Sequence, residues 1–282
     1  MAEHRDLLRS DVIVIADSAN TAVDVPAFTT SLRGFVDALV DVRVLERPVH
    51  SGLYGGPVCD ALTALCRLVA TLHDKRGDVA VAGLLSGTAS SPDLEPAAFA
   101  ADAGLIAGAR LIGTGTLPER LWHRPALSVL GIDAPSVAEA SNVLLPRARA
   151  MLSLRLAPGD EASRAFDALT AHLQEHAPWG AQVVVTPDAL GQPFALETTG
   201  SAYDLARAAF AEAYGNEVVE AGAGSSIPFI AEFARAYPDA TVLVTGVGDP
   251  ASRWHGIDES LHLDMWQRAC LAEALLLTRL AS

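Results

Sequence analysis

The apolar positions of this chain follow two different rhythms. From Val12 to Ala16 no polar residue interrupts the run, and Thr241-Val242-Leu243-Val244 is a second run of the same kind. Continuous apolar strands of this length predict burial on both faces, as in a parallel sheet. Between them, Val36, Ala38, Val40, Val42 and Val44 alternate with Asp37, Asp41 and Arg43. That is period two, the mark of a half-exposed strand and of a sheet of another type. Pro26 and the Thr29-Thr30-Ser31 cluster break the pattern between the two kinds, so the chain is expected to hold two domains.

The middle block has a readable order. Val58, Leu62, Leu65, Val69 and Leu72 recur at spacings of four and three, which predicts a helix after the loop His50-Ser51-Gly52 to Gly55-Gly56. Residues 86–118 are rich in Ser, Gly, Ala and Pro and read as loops with one short helix. Strands are predicted over Ala126–Gly131 and Ala150–Leu156, a helix over 161–175 and a strand over Gln182–Thr186. Strand, helix, strand, strand, helix, strand is the ferredoxin-like order, which gives a sheet with helices on one face. From about residue 189 the α/β pattern returns, with a glycine-rich turn Gly222-Ala223-Gly224-Ser225-Ser226 opening a helix at Ile227-Pro228 and a last helix through Trp266, Cys270 and Leu277. The expected architecture is α/β, with residues 1–28 and 189–282 forming one domain and residues 29–188 inserted as a second. Tyr203 and Trp266, at helical spacing, are expected in the core.

Composition narrows the partners. Of 282 residues, 34 are acidic and 20 basic, for a formal net charge of −14. Phosphate backbones and anionic membranes need clustered basic residues, so neither is expected as the main partner. No apolar run approaches a membrane span and the start lacks a signal-peptide pattern, so a cytoplasmic protein is expected. Cys59, Cys66 and Cys270 are odd in number and lack Cys-x-x-Cys spacing, which predicts buried thiols. Candidate chemistry sits at the two buried strands. The first ends in Asp17, and the second leads through a Gly/Pro turn to Arg253-Trp254-His255-Gly256-Ile257-Asp258-Glu259-Ser260. Reacting groups of α/β enzymes lie at the carboxyl ends of strands. A carboxylate and an imidazole delivered there are ligands of the type that bind metals.

Six stretches in order carry a resemblance: Ala16-Asp17-Ser18; Ser31-Leu32-Arg33-Gly34; His50-Ser51-Gly52 with Gly55-Gly56; Ser153-Leu154-Arg155-Leu156-Ala157-Pro158-Gly159; Gly224-Ser225-Ser226-Ile227-Pro228; and His255-Gly256-Ile257-Asp258-Glu259-Ser260. Together they make the chain similar to the carnosinase-type dipeptidases of the aminoacylase and carboxypeptidase G2 metallopeptidase family. The resemblance implies a zinc-peptidase-like α/β domain interrupted by a ferredoxin-like (βαββαβ) lid that makes a homodimer. It implies a co-catalytic pair of zinc or manganese ions, with Asp17 as ligand of one and His255 of the other. His50 matches a lid histidine that reaches the partner's site and stabilises the oxyanion. Arg155 matches the arginine that clamps the substrate carboxylate, Ser225 and Ser226 match a loop holding the same carboxylate, and Asn142 matches a further lid position near the partner's site. The implied substrate is a small peptide or N-acyl amino acid with a free carboxylate.

One part of the family pattern is missing. Family members carry, upstream of the Asp17 position, a His-x-Asp motif, a bridging aspartate and a Glu-Glu pair that supplies base and ligand. His4-Arg5-Asp6 has the letters of the first but no apolar strand before it, and the other two motifs are absent from this sequence. A general base alone is commonly worth about 10²–10⁴ in rate. The expectation is therefore a metal-dependent hydrolase of dipeptidase or N-acyl amino acid amidohydrolase type, lacking its N-terminal catalytic portion. Its site and metal-ligand set would be incomplete, with low or no activity alone. The competing expectation is a non-catalytic dimerisation or binding protein derived from the family.

Overall fold

The computed structural model describes residues 4–89, 93–224 and 227–281. In chain order the strands are β1 (Val12–Ala16), β2 (Ala27–Leu32), β3 (Gly34–Arg43), β4 (Val49–His50), β5 (Ala126–Asp133), β6 (Val143–Leu144), β7 (Arg147–Leu156), β8 (Gln182–Gly191), β9 (Phe194–Ala195), β10 (Val219–Ala223) and β11 (Thr241–Thr245). The helices are α1 (Ser51–Tyr54), α2 (Ala61–Ala70), α3 (Pro96–Asp102), α4 (Ala162–Glu175), α5 (Ser201–Tyr214), α6 (Pro228–Ala236) and α7 (Leu263–Leu280). The chain forms two compact units: unit 1 holds Met1–Leu32, Ala89–Leu111 and Phe194–Ser282, and unit 2 holds Arg33–Thr88 and Ile112–Pro193. The segment Ala89–Leu111, expected inside the middle block, belongs to unit 1.

Unit 2 has the ferredoxin-like arrangement. Its main sheet has four strands in the order β5-β7-β3-β8, all antiparallel, and α2 and α4 cover one face. Val36, Ala38, Val40 and Val42 of β3 are fully buried beneath Leu65, Leu68, Leu169 and Leu173 of the helices, while Asp37 and Asp41 point to the other side. Alternation at period two thus becomes one apolar and one polar face, because successive side chains of a strand point opposite ways. Asp60 caps α2 by accepting the Leu62 and Thr63 N–H groups, and Glu161 does the same for α4 through Ser163 and Arg164.

Unit 1 pairs β1 with β11 in parallel, from Val12 opposite Thr241 to Ala16 opposite Thr245. A second ladder runs β10-β2-β9. Side chains of β11 alternate between two cores. Leu243 joins Phe28, Tyr203, Phe210, Met265 and Leu276 beneath α5 and α7, whereas Val242 and Val244 join Ile15, Leu32 and Ile230 on the side of α6.

Several sequence expectations are corrected. The Thr29-Thr30-Ser31 stretch does not break structure; it lies within β2. Its hydroxyls hid it, yet two of the three find partners: Thr29 Oγ1 bonds Ser18 Oγ at 2.6 Å, and Thr30 donates to the Ala221 carbonyl at 3.3 Å. Trp266 is 47% exposed, while Tyr203 is buried and donates to the Val242 carbonyl at 2.7 Å. On α7 it is Met265, Ala269, Ala272 and Leu276 that face inward, and Trp266 lies about 100° round the helix from Met265. The three cysteines are free thiols, but Cys66 and Cys270 are exposed, and Cys59 precedes α2 instead of lying on it.

Candidate active-site residues

Parallel pairing in register makes β1 and β11 end side by side, so the residues that follow them emerge together. Buried Asn20 fixes this arrangement: its backbone N–H and side-chain amide donate to the carbonyls of Gly248 and Gly246, at 2.8 and 3.0 Å, and its own oxygen accepts the Ala27 N–H. Gly246 and Gly248 permit the close approach, since a Cβ on the first would lie 1.5 Å from the Ser18 carbonyl oxygen and one on the second 1.9 Å from the Trp254 ring. Beyond them, Asp249 and Ser252 close a tight turn through each other's polar groups, and the Ser260 N–H returns to the Ser252 carbonyl. The result is a pocket of about 400 Å³ whose lining includes Asp17, Ser18, Trp254, His255, Glu259 and Ser260.

Asp17 and His255, placed far apart in the chain, therefore share one pocket. Both are exposed, and neither has a hydrogen bond or ion pair among the described residues. Arg253, His255 and Asp258 all have positive φ, at 53°, 59° and 62°. Left-handed backbone costs a non-glycine residue about 1–2 kcal/mol, and such strain concentrates at functional loops. Glu259 also reaches this pocket, a residue that the sequence presented only as part of a polar run. An imidazole with one or two carboxylates suits zinc and similar borderline cations, but a catalytic site ordinarily has three protein ligands. Among the described residues, no three His, Cys, Asp or Glu side chains lie close enough to hold a metal ion. The ligand types fit the implied metals; the ligand count does not.

Unit 2 assembles two further groups. β4 pairs with β6, putting His50 opposite Val143, and the Ser51 N–H donates to the Asn142 carbonyl at 2.9 Å. His50 and Asn142 are thus neighbours, both exposed. The His50 Nδ1 accepts the Gly52 N–H at 3.1 Å. With Nδ1 as acceptor, the neutral ring carries its proton on Nε2, which is free to donate outward. Arg155 lies half-buried on β7, opposite Phe35, with its guanidinium over that ring at 5.7 Å. Beside it is Arg33, 5% exposed, which donates to the Leu121 carbonyl at 2.6 Å. Burial, and then repulsion from Arg155, lower the Arg33 pKa to about 10. Ser225 and Ser226 lie outside the described residues. A larger cavity of unit 2, about 730 Å³, is lined by Gly55, Gly56, Cys59, Leu144 and Trp179 and holds none of the expected site residues.

A family model described as a peptidase dimerisation domain, of the M20 group, matches residues 30–181, more than half of the chain. The chain belongs to the M20 metallopeptidase family. Among curated relatives, a cysteinylglycine-S-conjugate dipeptidase of Corynebacterium striatum is 34% identical over 273 residues, covering 95% of this chain and 60% of the relative. Among solved structures, the dipeptidase Dug1p of Saccharomyces cerevisiae superposes with a TM-score of 0.81 at 18% identity, over 98% of this chain and 60% of that one. Human carnosine dipeptidase 1 gives 0.78 at 21% identity, over 97% and 60%. The two structures share the fold of this M20 chain, and the relatives named are dipeptidases. The chain spans about 60% of the length of each.

Proposed function

We propose that this M20 chain is part of a metal-dependent hydrolase of the dipeptidase or N-acyl amino acid amidohydrolase type. The observation that carries the reading is the convergence of Asp17 and His255, both unpartnered, at the ends of two paired parallel strands. Each is a metal ligand in the proposal, for zinc or manganese. Arg155 holds the substrate's carboxylate, for which a planar guanidinium offers two parallel N–H groups. Ser225 and Ser226 assist it, and Asn142, beside His50, takes a lid position near the partner's site. His50, with Nε2–H free, stabilises the oxyanion across a homodimer built through unit 2. The small carboxylated peptides named for the relatives, such as cysteinylglycine conjugates, are the substrate class.

Among the described residues no three-ligand cluster surrounds Asp17 and His255, and in this reading a further polypeptide segment supplies the remaining ligand and the general base. The absence of a three-ligand cluster among the described residues favours a second reading, in which the chain is a dimerising or carboxylate-binding protein without catalysis. Elemental analysis combined with a cysteinylglycine hydrolysis assay, in added zinc or manganese, separates the two. We expect little metal and little turnover from the chain alone, with metal-dependent turnover appearing when the upstream half of a longer M20 relative is added. No turnover after such addition, with both parts folded, would overturn the hydrolase reading in favour of the second.

A further inference from the structure

Arg33 is 5% exposed, yet only one of its three nitrogens is used: Nη1 donates to the Leu121 carbonyl, while Nε and Nη2 are buried without a hydrogen-bond partner. A buried charge normally has a paired counter-charge, because removing an ion from water costs several kcal/mol even after relaxation. Here the neighbouring charge is another arginine. Arg155 makes no ion pair among the described residues, and its contact is with the Phe35 ring. The nearest carboxylate along β3 is Asp37, opposite Ser153 and two residue pairs from Arg155, and it bonds to neither guanidinium; its Oδ1 is itself buried without a partner. Among the described residues, neither guanidinium bonds a carboxylate, so the two cations lie side by side without an ion pair of their own.

We propose that Arg33 is a positioning residue for an anion: its fixed, buried charge stands behind the accessible Arg155 and makes the pair a site selective for a carboxylate. Arg33 does not touch the ligand, since its free nitrogens are enclosed; it acts through its field on the anion that Arg155 grasps. Burial, and then the charge of Arg155, disfavour the Arg33 cation, and a negative charge arriving at Arg155 relieves the second of these. The carboxylate of a dipeptide has the required charge and the bidentate geometry. This inference rests on reading Arg155 as the carboxylate clamp, but not on any hydrolysis by the chain.

The test is calorimetric titration of the chain with Gly-Gly and with glycylglycinamide, which differs at the carboxylate. Wild-type protein should prefer Gly-Gly. The R33Q variant keeps a donor for the Leu121 carbonyl but no charge, and should lose about 5–10-fold in Gly-Gly affinity, as expected for removing one charge at moderate effective dielectric. Its affinity for the amide should stay unchanged, and R33K should restore the preference. A second measurement needs no variant: in protein labelled at arginine, the Arg33 Nε resonance should shift on Gly-Gly binding. Equal preference in R33Q and wild type, no preference in wild type, or an unmoved Arg33 resonance at saturation would overturn the inference. Carboxylate preference without turnover would leave it standing while the hydrolase reading fails.

Discussion

Gly246 shows how much of the site hangs on the lack of a side chain. Its absent Cβ lets the backbone after β11 lie against Ser18, one residue beyond Asp17. The obstacle to a methyl group is backbone, which cannot swing aside as a flexible side chain would. Gly246→Ala should destabilise the protein by about 3 kcal/mol or more. A chemical-denaturation midpoint equal to that of wild type would contradict this account of the strand ends. At the same scale, His50 owes its donor role to a single backbone contact, the Gly52 N–H at Nδ1, and Arg33 owes its charge effect to enclosure.

Among the elements, α2 and α4 are tied by a polar contact as well as by their leucines. His172 on α4 is buried, and its Nε2 lies 3.0 Å from the Thr71 hydroxyl at the end of α2, while its ring stacks on His176 at 4.1 Å. Burial, and then the neighbouring His176, push the His172 pKa below its ordinary 6.5. The folded state therefore prefers the neutral ring more than the unfolded chain does. Stability from this group is present above pH 6.5 and is lost as pH falls below that value through the lower folded pKa. Melting temperature should drop between pH 7.5 and 5.0 by more in wild type than in His172→Gln, whose amide can still bond Thr71. Equal drops in the two proteins would remove His172 from the explanation.

For the whole molecule, the matched family model describes a dimerisation domain, so self-association belongs to this scale. No helix among the described residues is long and apolar enough to cross a membrane. Within unit 2, the outermost strand β5 leaves Val129, Leu130 and Ile132 between 39% and 60% exposed, beside an unpaired strand edge. Apolar side chains on a free edge invite pairing with another chain. Light scattering at micromolar concentration should give the mass of two copies of the chain. A monomer across the accessible concentration range would remove the homodimer, and with it the role of His50 in a partner's site.

The sequence by itself determined the main strands and helices of both units and their order. Period-two alternation in β3 and β7 and the uninterrupted runs of β1 and β11 were legible because burial on one face or two leaves a direct trace in polarity. It also placed Asp17 directly after β1 and His255 in the loop that follows β11, since strand termination is local. It could not give the strand at Ala27–Leu32, whose hydroxyls look polar until Ser18 and Ala221 are beside them. Nor could it show that Trp266 turns outward, which depends on the packing of α7 against α5. The pairing of β1 with β11 across more than two hundred residues, the arrival of Glu259 in the same pocket and the enclosure of Arg33 beside Arg155 were decided only by tertiary structure. Each depends on contacts between segments remote in sequence, and the energy of a buried charge or a shared pocket is set by what surrounds it in space.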